Sequence, residues 1–285
     1  MADVSSQPAP QRASQPNQSR TPDNTYENSS LKMASEPARH KKTPWAYIRS
    51  SFQMVAGGVV LLFSATVVLL FTLFFSPFRL DPFLKVFCKA MVFVAGIDVR
   101  IHGLEKLDPK KTYLVIFNHI NMFDHFVLYA AMPHKLRGVE KEVHFRWPVY
   151  GTLIRRIGQV SIPPRGDTVR AIASLERAQK LMAQGISIAM APEGTRSKTG
   201  ELQPFKKGAF HLAVQMQATI APIVLVGMYQ INRKGDWLIY PGPIDVYFED
   251  LIPVTGMTDK DVRALTEKVR NVFVSRLASS SAEAA

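Results

Sequence analysis

The chain has almost no cysteine: its 285 residues include one, Cys88, inside an apolar stretch. That excludes an intrachain disulfide framework and a thiolate metal cluster, and leaves Cys88 as a small buried hydrophobe. A domain facing the reducing cytoplasm fits this usage. Glycine-rich nucleotide loops are also missing, since neither G-x-G-x-x-G after a strand nor G-x-x-x-x-G-K-[ST] occurs. Without G-x-S-x-G there is no nucleophile elbow, and without H-E-x-x-H no helical zinc site. His102, His134, His144 and His211 show no ligand spacing, so neither a metal nor a resident cofactor is expected. Acidic residues are scarce, 23 against 35 basic ones, for a formal net charge of +12. Such a balance favours an anionic partner: nucleic acid, a membrane surface or a phosphorylated substrate. A nucleic-acid partner is not expected, because no recognition motif appears and the basic residues are not interleaved with aromatics. No feature assigns an oligomeric state.

Charge is wholly absent from Ser51 to Phe78, and the centre of that segment, Met54 to Phe75, is almost entirely apolar. It exceeds the roughly 18 residues of a membrane-spanning candidate, so an N-terminal membrane-embedded helical segment is expected. Pro77 ends or kinks it. A second apolar stretch, Pro82 to Ile97, carries Lys85 and Lys89 on one helical face and predicts an amphipathic helix at the interface. Arg39, Lys41, Lys42 and Arg49 precede the first segment, and Arg79, Lys85 and Lys89 follow it. A re-entrant hairpin that enters and leaves on the cytoplasmic side satisfies both basic flanks.

The remaining organisation is that of an α/β domain with a largely parallel or mixed sheet flanked by helices. Strands are predicted over Tyr113–Phe117, Gln159–Ile162, Ser187–Ala191 and Thr219–Val226. Helices are predicted over Phe126–Met132, Pro148–Ile157, Thr168–Gln184, Phe205–Gln217 and Asp259–Leu277. Asp167 is set to cap the third of these, Val169, Ile172, Leu175 and Leu181 to form its apolar face, and Gly185 to stop it. Thr258 is set to cap the last helix. The expected boundaries are a disordered tail over residues 1–43, membrane-associated helices over 44–98, the α/β domain over 99–278 and a flexible end over 279–285.

Three loops after strands carry the polar chemistry. The first reads N-H-I-N-M-F-D, Asn118 to Asp124. On a regular helix residues five apart lie about 140° apart, so His119 and Asp124 meet only if the histidine sits on a strand-to-helix turn. There the carboxylate can orient one imidazole nitrogen and leave the other to accept a proton from a hydroxyl. The plainer alternative is a capping residue beside a surface histidine. The second loop, I-P-P-R-G-D, holds Arg165, and the third, A-P-E-G-T-R-S, holds Glu193, Gly194, Thr195, Arg196 and Ser197. Ligands of open α/β sheets bind where strands end, and the two guanidiniums suit a phosphate monoester. Lys206 and Lys207 add charge at the start of the following helix.

Taken in order, these blocks resemble the glycerolipid acyltransferases, especially the 1-acyl-sn-glycerol-3-phosphate (lysophosphatidate) acyltransferases. Asn118, His119 and Asp124 match the N-H-x-x-x-x-D block, Arg165 the second, and Glu193 to Ser197 the E-G-T-R-S block without substitution. Ala221-Pro222-Ile-Val-Leu-Val226 matches the fourth block, an apolar strand carrying a proline. Lys141 with Pro148-Val-Tyr-Gly151 resembles the family's lysine followed by P-x-x-G. The likeness covers about residues 85–250. Two departures, Asn121-Met122-Phe123 and Leu225, point to substrate preference. The resemblance implies acyl transfer from acyl-CoA or acyl-carrier protein to a lysophosphatidate-type hydroxyl, giving phosphatidate in phospholipid synthesis. In that reading His119 is the base and Asp124 its orienter. Arg165, Glu193, Gly194, Thr195 and Arg196 form the phosphate site, with Glu193 organising the loop. Asn118, Lys141, Ser197 and Pro222 support them, and a backbone N–H or Lys141 stabilises the oxyanion. The implied partners are membrane lipids and the acyl donor, with the catalytic domain on the cytoplasmic face. Alternatives are another acceptor (glycerol-3-phosphate, another lysophospholipid or a lyso-aminolipid) and a non-catalytic lipid-binding protein of the same fold.

Overall fold

A computed structural model of the chain describes residues 40–164 and 166–283. The tail expected to be disordered falls almost entirely outside them, as does Arg165. Helix α1, Pro44–Phe74, begins well before the uncharged run, because Thr43 accepts a hydrogen bond from the Ala46 N–H at 3.2 Å and Pro44 suits the first helical position. It is followed by α2, Asp81–Val94, and β1, Ile97–His102. Next come β2, Leu114–Phe117, α3, Asp124–Ala131, and β3, Lys135–Lys141. Helix α4, Tyr150–Ile157, β4, Val160–Ile162, and α5, Thr168–Ala183, continue the chain. They lead to β5, Ile186–Met190, α6, Gly208–Met216, and β6, Ile220–Val226. Short helix α7, Met228–Ile231, strand β7, Gly242–Phe248, and α8, Val262–Glu283, complete it. Helix α8 runs on through the Ser/Ala segment where fraying was expected.

One seven-stranded mixed sheet has the order β1-β7-β6-β2-β5-β3-β4. Strand β6 pairs antiparallel with β7 and parallel with β2, and every other pairing is parallel. Strands β6, β2, β5, β3 and β4 therefore end on the same edge. The central strands are buried on both faces, which is why β2 and β6 read as continuous apolar runs. One face packs Val92, Val127, Leu128 and Ile231, and the other packs Ala178, Phe210, Val269 and Phe273. Pro222 sits inside β6, yet its carbonyl accepts from Glu249 N, so its missing N–H falls just past the last β6–β7 pair, Ile223 with Phe248.

Strands β1, β3 and β7 were not anticipated. β1 is an edge strand with mostly exposed side chains, β3 carries Lys, Arg and Glu, and β7 opens with Gly-Pro. The residue that makes β3 unreadable, Arg137, is fully buried. It donates to Asp81 of α2 at 2.7 and 3.2 Å and to the Ile157 carbonyl. The apolar face expected for α5 also differs: Ala178 and Leu181 are buried, but Val169 and Ile172 are exposed.

Helix α1 packs along the domain with an unusual stripe. Ala46, Ser50, Gln53, Gly57, Ser64, Ala65 and Val68 face inward, while Trp45, Ile48, Phe52, Val59, Leu62, Phe63 and Leu73 face out. Ser50 exchanges hydrogen bonds with the Ile239 backbone at 2.9 and 3.2 Å, Gln53 donates to the Ala95 carbonyl at 3.0 Å, and Lys42 pairs with Asp236 at 2.9 Å. Ala65 and Val68 pack with Leu80 and Leu84 of the returning α2 and with Leu153 and Ile157 of α4. The two N-terminal helices thus form a hairpin. Lys85, expected at the interface, instead donates to the Pro133 carbonyl of the domain.

Candidate active site

Strand β2 stops at Phe117 and α3 starts at Asp124, so the intervening turn carries His119 back over the first helical residue. Asp124 is fully buried. Its Oδ2 accepts from three donors: His119 Nδ1 at 2.8 Å, Ile120 N at 2.6 Å and Asn121 N at 3.0 Å. The carboxylate therefore fixes the tautomer of the imidazole and the shape of the turn at once. His119 Nδ1 carries the proton in this arrangement. Nε2 has no partner among the described residues, and the side chain keeps 19% of its exposure.

The third block closes on the first from the adjacent strand. Ala189 of β5 lies level with Val115 of β2, so Glu193 and His119, each four residues on, come side by side. Glu193 is buried, its Oε1 accepts from His119 N at 2.8 Å, and its Oε2 accepts from Gln203 N at 3.0 Å. Burial pushes its carboxyl up to about 7, partly opposed by those two N–H donors. Ser197 N donates to the His119 carbonyl at 2.9 Å, and Ser197 Oγ ties the loop internally to Glu201 O at 2.9 Å and Gly200 N at 3.1 Å. Gly194 has φ 70, and a Cβ there would lie 2.6 Å from Lys206 Nζ. The positive φ favours glycine there, and the Lys206 ammonium lies across the space a side chain would take. Thr195 is exposed and meets Gln203 through its carbonyl. Arg196 is half-buried, its guanidinium has no carboxylate partner among the described residues, and its carbonyl accepts from Lys234 Nζ at 2.9 Å.

On the other side, Asn118 bridges β2 to β6. Its side chain donates to the Leu225 carbonyl at 2.9 Å and accepts from Leu225 N at 2.8 Å. Leu225 therefore supplies an N–H that proline lacks, and it is buried, so its effect is structural. The same correction applies to Asn121 and Phe123, which are buried. Asn121 donates to Met228 O at 2.6 Å and accepts from Phe123 N at 2.8 Å, and only Met122 of that triplet is exposed.

Sheet order separates Lys141 from this centre. Lys141 ends β3, two strands from β2, a lateral distance of roughly 10 Å. It is exposed and has no partner among the described residues. Arg165 lies outside the described residues, and the Pro164 before it follows β4, one strand further out. No group of three or more His, Cys, Asp and Glu suited to a metal occurs among the described residues.

His125 belongs to the site and carries no sequence signal, because no spacing rule links it to His119. Its ring stands edge to face against the His119 ring at 5.3 Å and 90°, and against Phe117 at 5.4 Å. Burial, and then the neighbouring His119, push it below the ordinary histidine range, so it stays neutral beside the base.

A family model described as Acyltransferase matches residues 98–226. The 1-acyl-sn-glycerol-3-phosphate acyltransferase of Limnanthes douglasii is 32% identical over 191 residues, 67% of this chain and 67% of that protein. The human 1-acyl-sn-glycerol-3-phosphate acyltransferase alpha is 32% identical over 180 residues, 63% of each. The crystal structure of the 1-acyl-sn-glycerophosphate acyltransferase from Thermotoga maritima superposes with a TM-score of 0.69. It covers 82% of this chain and 95% of that one at 20% identity, a likeness of fold.

Proposed function

The chain belongs to the 1-acyl-sn-glycerol-3-phosphate acyltransferase family, and from that premise we propose that it acylates the free hydroxyl of lysophosphatidate to give phosphatidate, drawing the acyl group from acyl-CoA or acyl-carrier protein. One observation carries the chemistry: His119 is held by buried Asp124 at 2.8 Å with its other ring nitrogen unpartnered among the described residues. His119 Nε2 takes the hydroxyl proton as the acceptor oxygen attacks the thioester carbon. Asp124 stabilises the imidazolium that forms. Collapse of the tetrahedral species breaks the C–S bond, and the imidazolium returns its proton to the departing thiolate. The thioester is already activated, so the proposal needs neither an acyl-enzyme nor a resident cofactor.

The acceptor phosphate is assigned to Arg196, with Lys206 across Gly194 and with Arg165. Arg196 lacks a carboxylate partner among the described residues, as an anion site requires. Glu193 and Asn118 shape the loops and do not touch substrate. Lys141 is assigned to the oxyanion, since its four-carbon stem and the His119 ring together reach across two strand spacings, roughly 10 Å. The outward face of α1 is read as embedded in one leaflet, with the domain on the cytoplasmic side, in keeping with basic residues at both ends of α1.

Purified protein in detergent, offered lysophosphatidate, glycerol-3-phosphate and a phosphate-free lysolipid with each donor, is expected to prefer lysophosphatidate. His119→Ala is expected to abolish turnover and keep the fold. Arg196→Ala is expected to raise KM for the phosphorylated acceptor with little change in kcat. Equal rates on the phosphate-free lysolipid, or full activity of His119→Ala, would overturn the assignment.

A further inference from the structure

Between β3 and α4 the chain holds three apolar side chains out of the domain. Val143, Trp147 and Val149 are 53, 52 and 54% exposed, within seven residues of one another. The segment is braced. Phe145 is buried and its carbonyl accepts from Arg155, Gly151 N donates to the Trp147 carbonyl at 2.9 Å, and Leu153 N donates to the Val149 carbonyl at 2.9 Å. A Cβ on Gly151 would lie 2.3 Å from the Phe145 carbonyl, so the turn closes too tightly for any other residue. Val149 itself has φ 58 and ψ −64, a region a β-branched residue adopts only when its surroundings force it. The fold thus accepts strain to keep this valine where it is, with its side chain facing outward.

The surroundings identify what covers it. Helix α4 starts beside the loop and is eight residues long, about 12 Å. Its inner face packs on the hairpin, where Leu153 and Ile157 join the cluster of Ala65 and Val68 and Arg156 donates to the Thr72 carbonyl at 3.4 Å. The same stretch of α1 exposes Leu70, Leu73 and Phe74. Around the loop, Arg155 and Arg156 are exposed and have no carboxylate partner among the described residues, whereas Glu142 pairs with Arg146 and Arg170, and Glu140 is hydrogen-bonded to His144 at 2.6 Å. Apolar tips inside a cationic rim, with Trp147 and Tyr150 ring to ring at 6.0 Å, match the chemistry of an anionic lipid headgroup layer.

We propose that Val143, Trp147 and Val149 form a second membrane contact, inserted at the headgroup boundary of an anionic leaflet beside the hairpin. This rests on the reading of α1 as membrane-embedded. Two contacts fix the tilt of the domain, where a hairpin alone leaves it free to rock. Because the loop leaves the C-terminal end of β3, on the edge that also carries His119, the tilt directs the catalytic edge at the bilayer.

The test uses the full chain in a Cys88→Ala background, with one environment-sensitive dye at Val149→Cys, Phe63→Cys on α1, or Lys110→Cys ahead of β2 at the opposite edge. Each is reconstituted into phosphatidylcholine vesicles containing phosphatidylglycerol and a lipid with a nitroxide near the headgroup. Quenching at positions 63 and 149 but not 110 supports the proposal. Quenching at 63 alone overturns it and leaves the α1 reading intact. Quenching at neither site overturns both. Lipid-independent energy transfer between copies labelled at 149 would make the loop a protein interface and overturn the lipid assignment. A Val143→Asp/Val149→Asp variant is expected to raise the apparent KM for acceptor in anionic vesicles about tenfold, the equivalent of losing a modest apolar contact, with unchanged turnover of a short-chain acceptor in solution. An unchanged vesicle KM counts against the contact.

Discussion

Replacing Asp124 by Asn separates charge from shape at the centre of the site. The carboxamide oxygen can take the place of Oδ2 and keep the bonds from Ile120 N, Asn121 N and His119 Nδ1. The amide nitrogen then occupies the position of Oδ1, which is buried without a partner, so the variant stays folded at a cost of about 1–3 kcal/mol. What it loses is the negative charge beside the imidazolium. At an effective dielectric of about 20 and a charge separation of roughly 4 Å, that interaction is worth about 4 kcal/mol. In the general-base role the imidazole gains its positive charge as the proton moves, so the loss falls on the transition state. Asp124→Asn should therefore lower kcat and kcat/KM together, by roughly a thousandfold, with KM unchanged. Thiol release at saturating donor and acceptor measures kcat, and a thermal melt checks folding. A folded variant within about tenfold of the parent kcat would refute the general-base assignment, since base catalysis contributes about 100-fold or more. Asp124→Ala, which also orphans two backbone donors, should melt earlier than Asp124→Asn.

Other consequences can be measured independently. Asp81→Ala strands the buried Arg137 guanidinium and is expected to cost about 3–5 kcal/mol in denaturant unfolding. Adding Arg137→Met should recover much of that loss, and simple additivity of the two changes would refute the pairing argument. Glu193 binds its proton more tightly folded than unfolded, since its carboxyl rises from an ordinary 4.5 to about 7. Its contribution is complete below pH 4.5 and is lost as pH rises through about 7, so melting temperature should fall across that window and Glu193→Gln should flatten the fall. Gly151→Ala is expected to lower the melting temperature by several degrees, because the Phe145 carbonyl stands 2.3 Å from the new Cβ. Gly58→Ala, with open space around it, should leave the melting temperature unchanged or raise it slightly.

Local patterns made the centre of this fold legible and left its margins unread. The strands buried on both faces announce themselves as apolar runs, and polar residues just beyond them mark the edge where ligands bind. Strand β3 hides because its arginine is buried for a tertiary reason, the carboxylate of Asp81 on another helix. The pairing of His119 with Asp124 was readable because both lie on one turn. Their setting was not, because the order β6-β2-β5 that unites Leu225, Asn118 and Glu193 follows from crossovers no window of residues contains. The same order sets the Lys141 end of β3 at a distance from the base that spacing along the chain does not reveal.

Hydropathy finds α1 but misses the sense of its two faces. A helix docked on a soluble domain ordinarily buries its large apolar side chains and turns small or polar ones to water. Here Ser50, Gln53, Gly57, Ser64 and Ala65 are covered by protein, while Trp45, Ile48, Phe52, Val55, Val59, Leu62, Phe63, Leu70, Leu73 and Phe74 are each at least 58% exposed. Removing such side chains from water is worth about 1.5–3 kcal/mol apiece, so even partial coverage of this face amounts to 10 kcal/mol or more, about the net stability of a whole domain. An aqueous environment cannot sustain that surface on a monomer, whereas acyl chains can. Because Ser50 and Gln53 also bond to the backbone of the α/β domain, the helix cannot stand away from it to cross a bilayer upright without breaking those contacts. The exposed face and the docked face together favour a helix lying along a membrane surface with the α/β domain held against it.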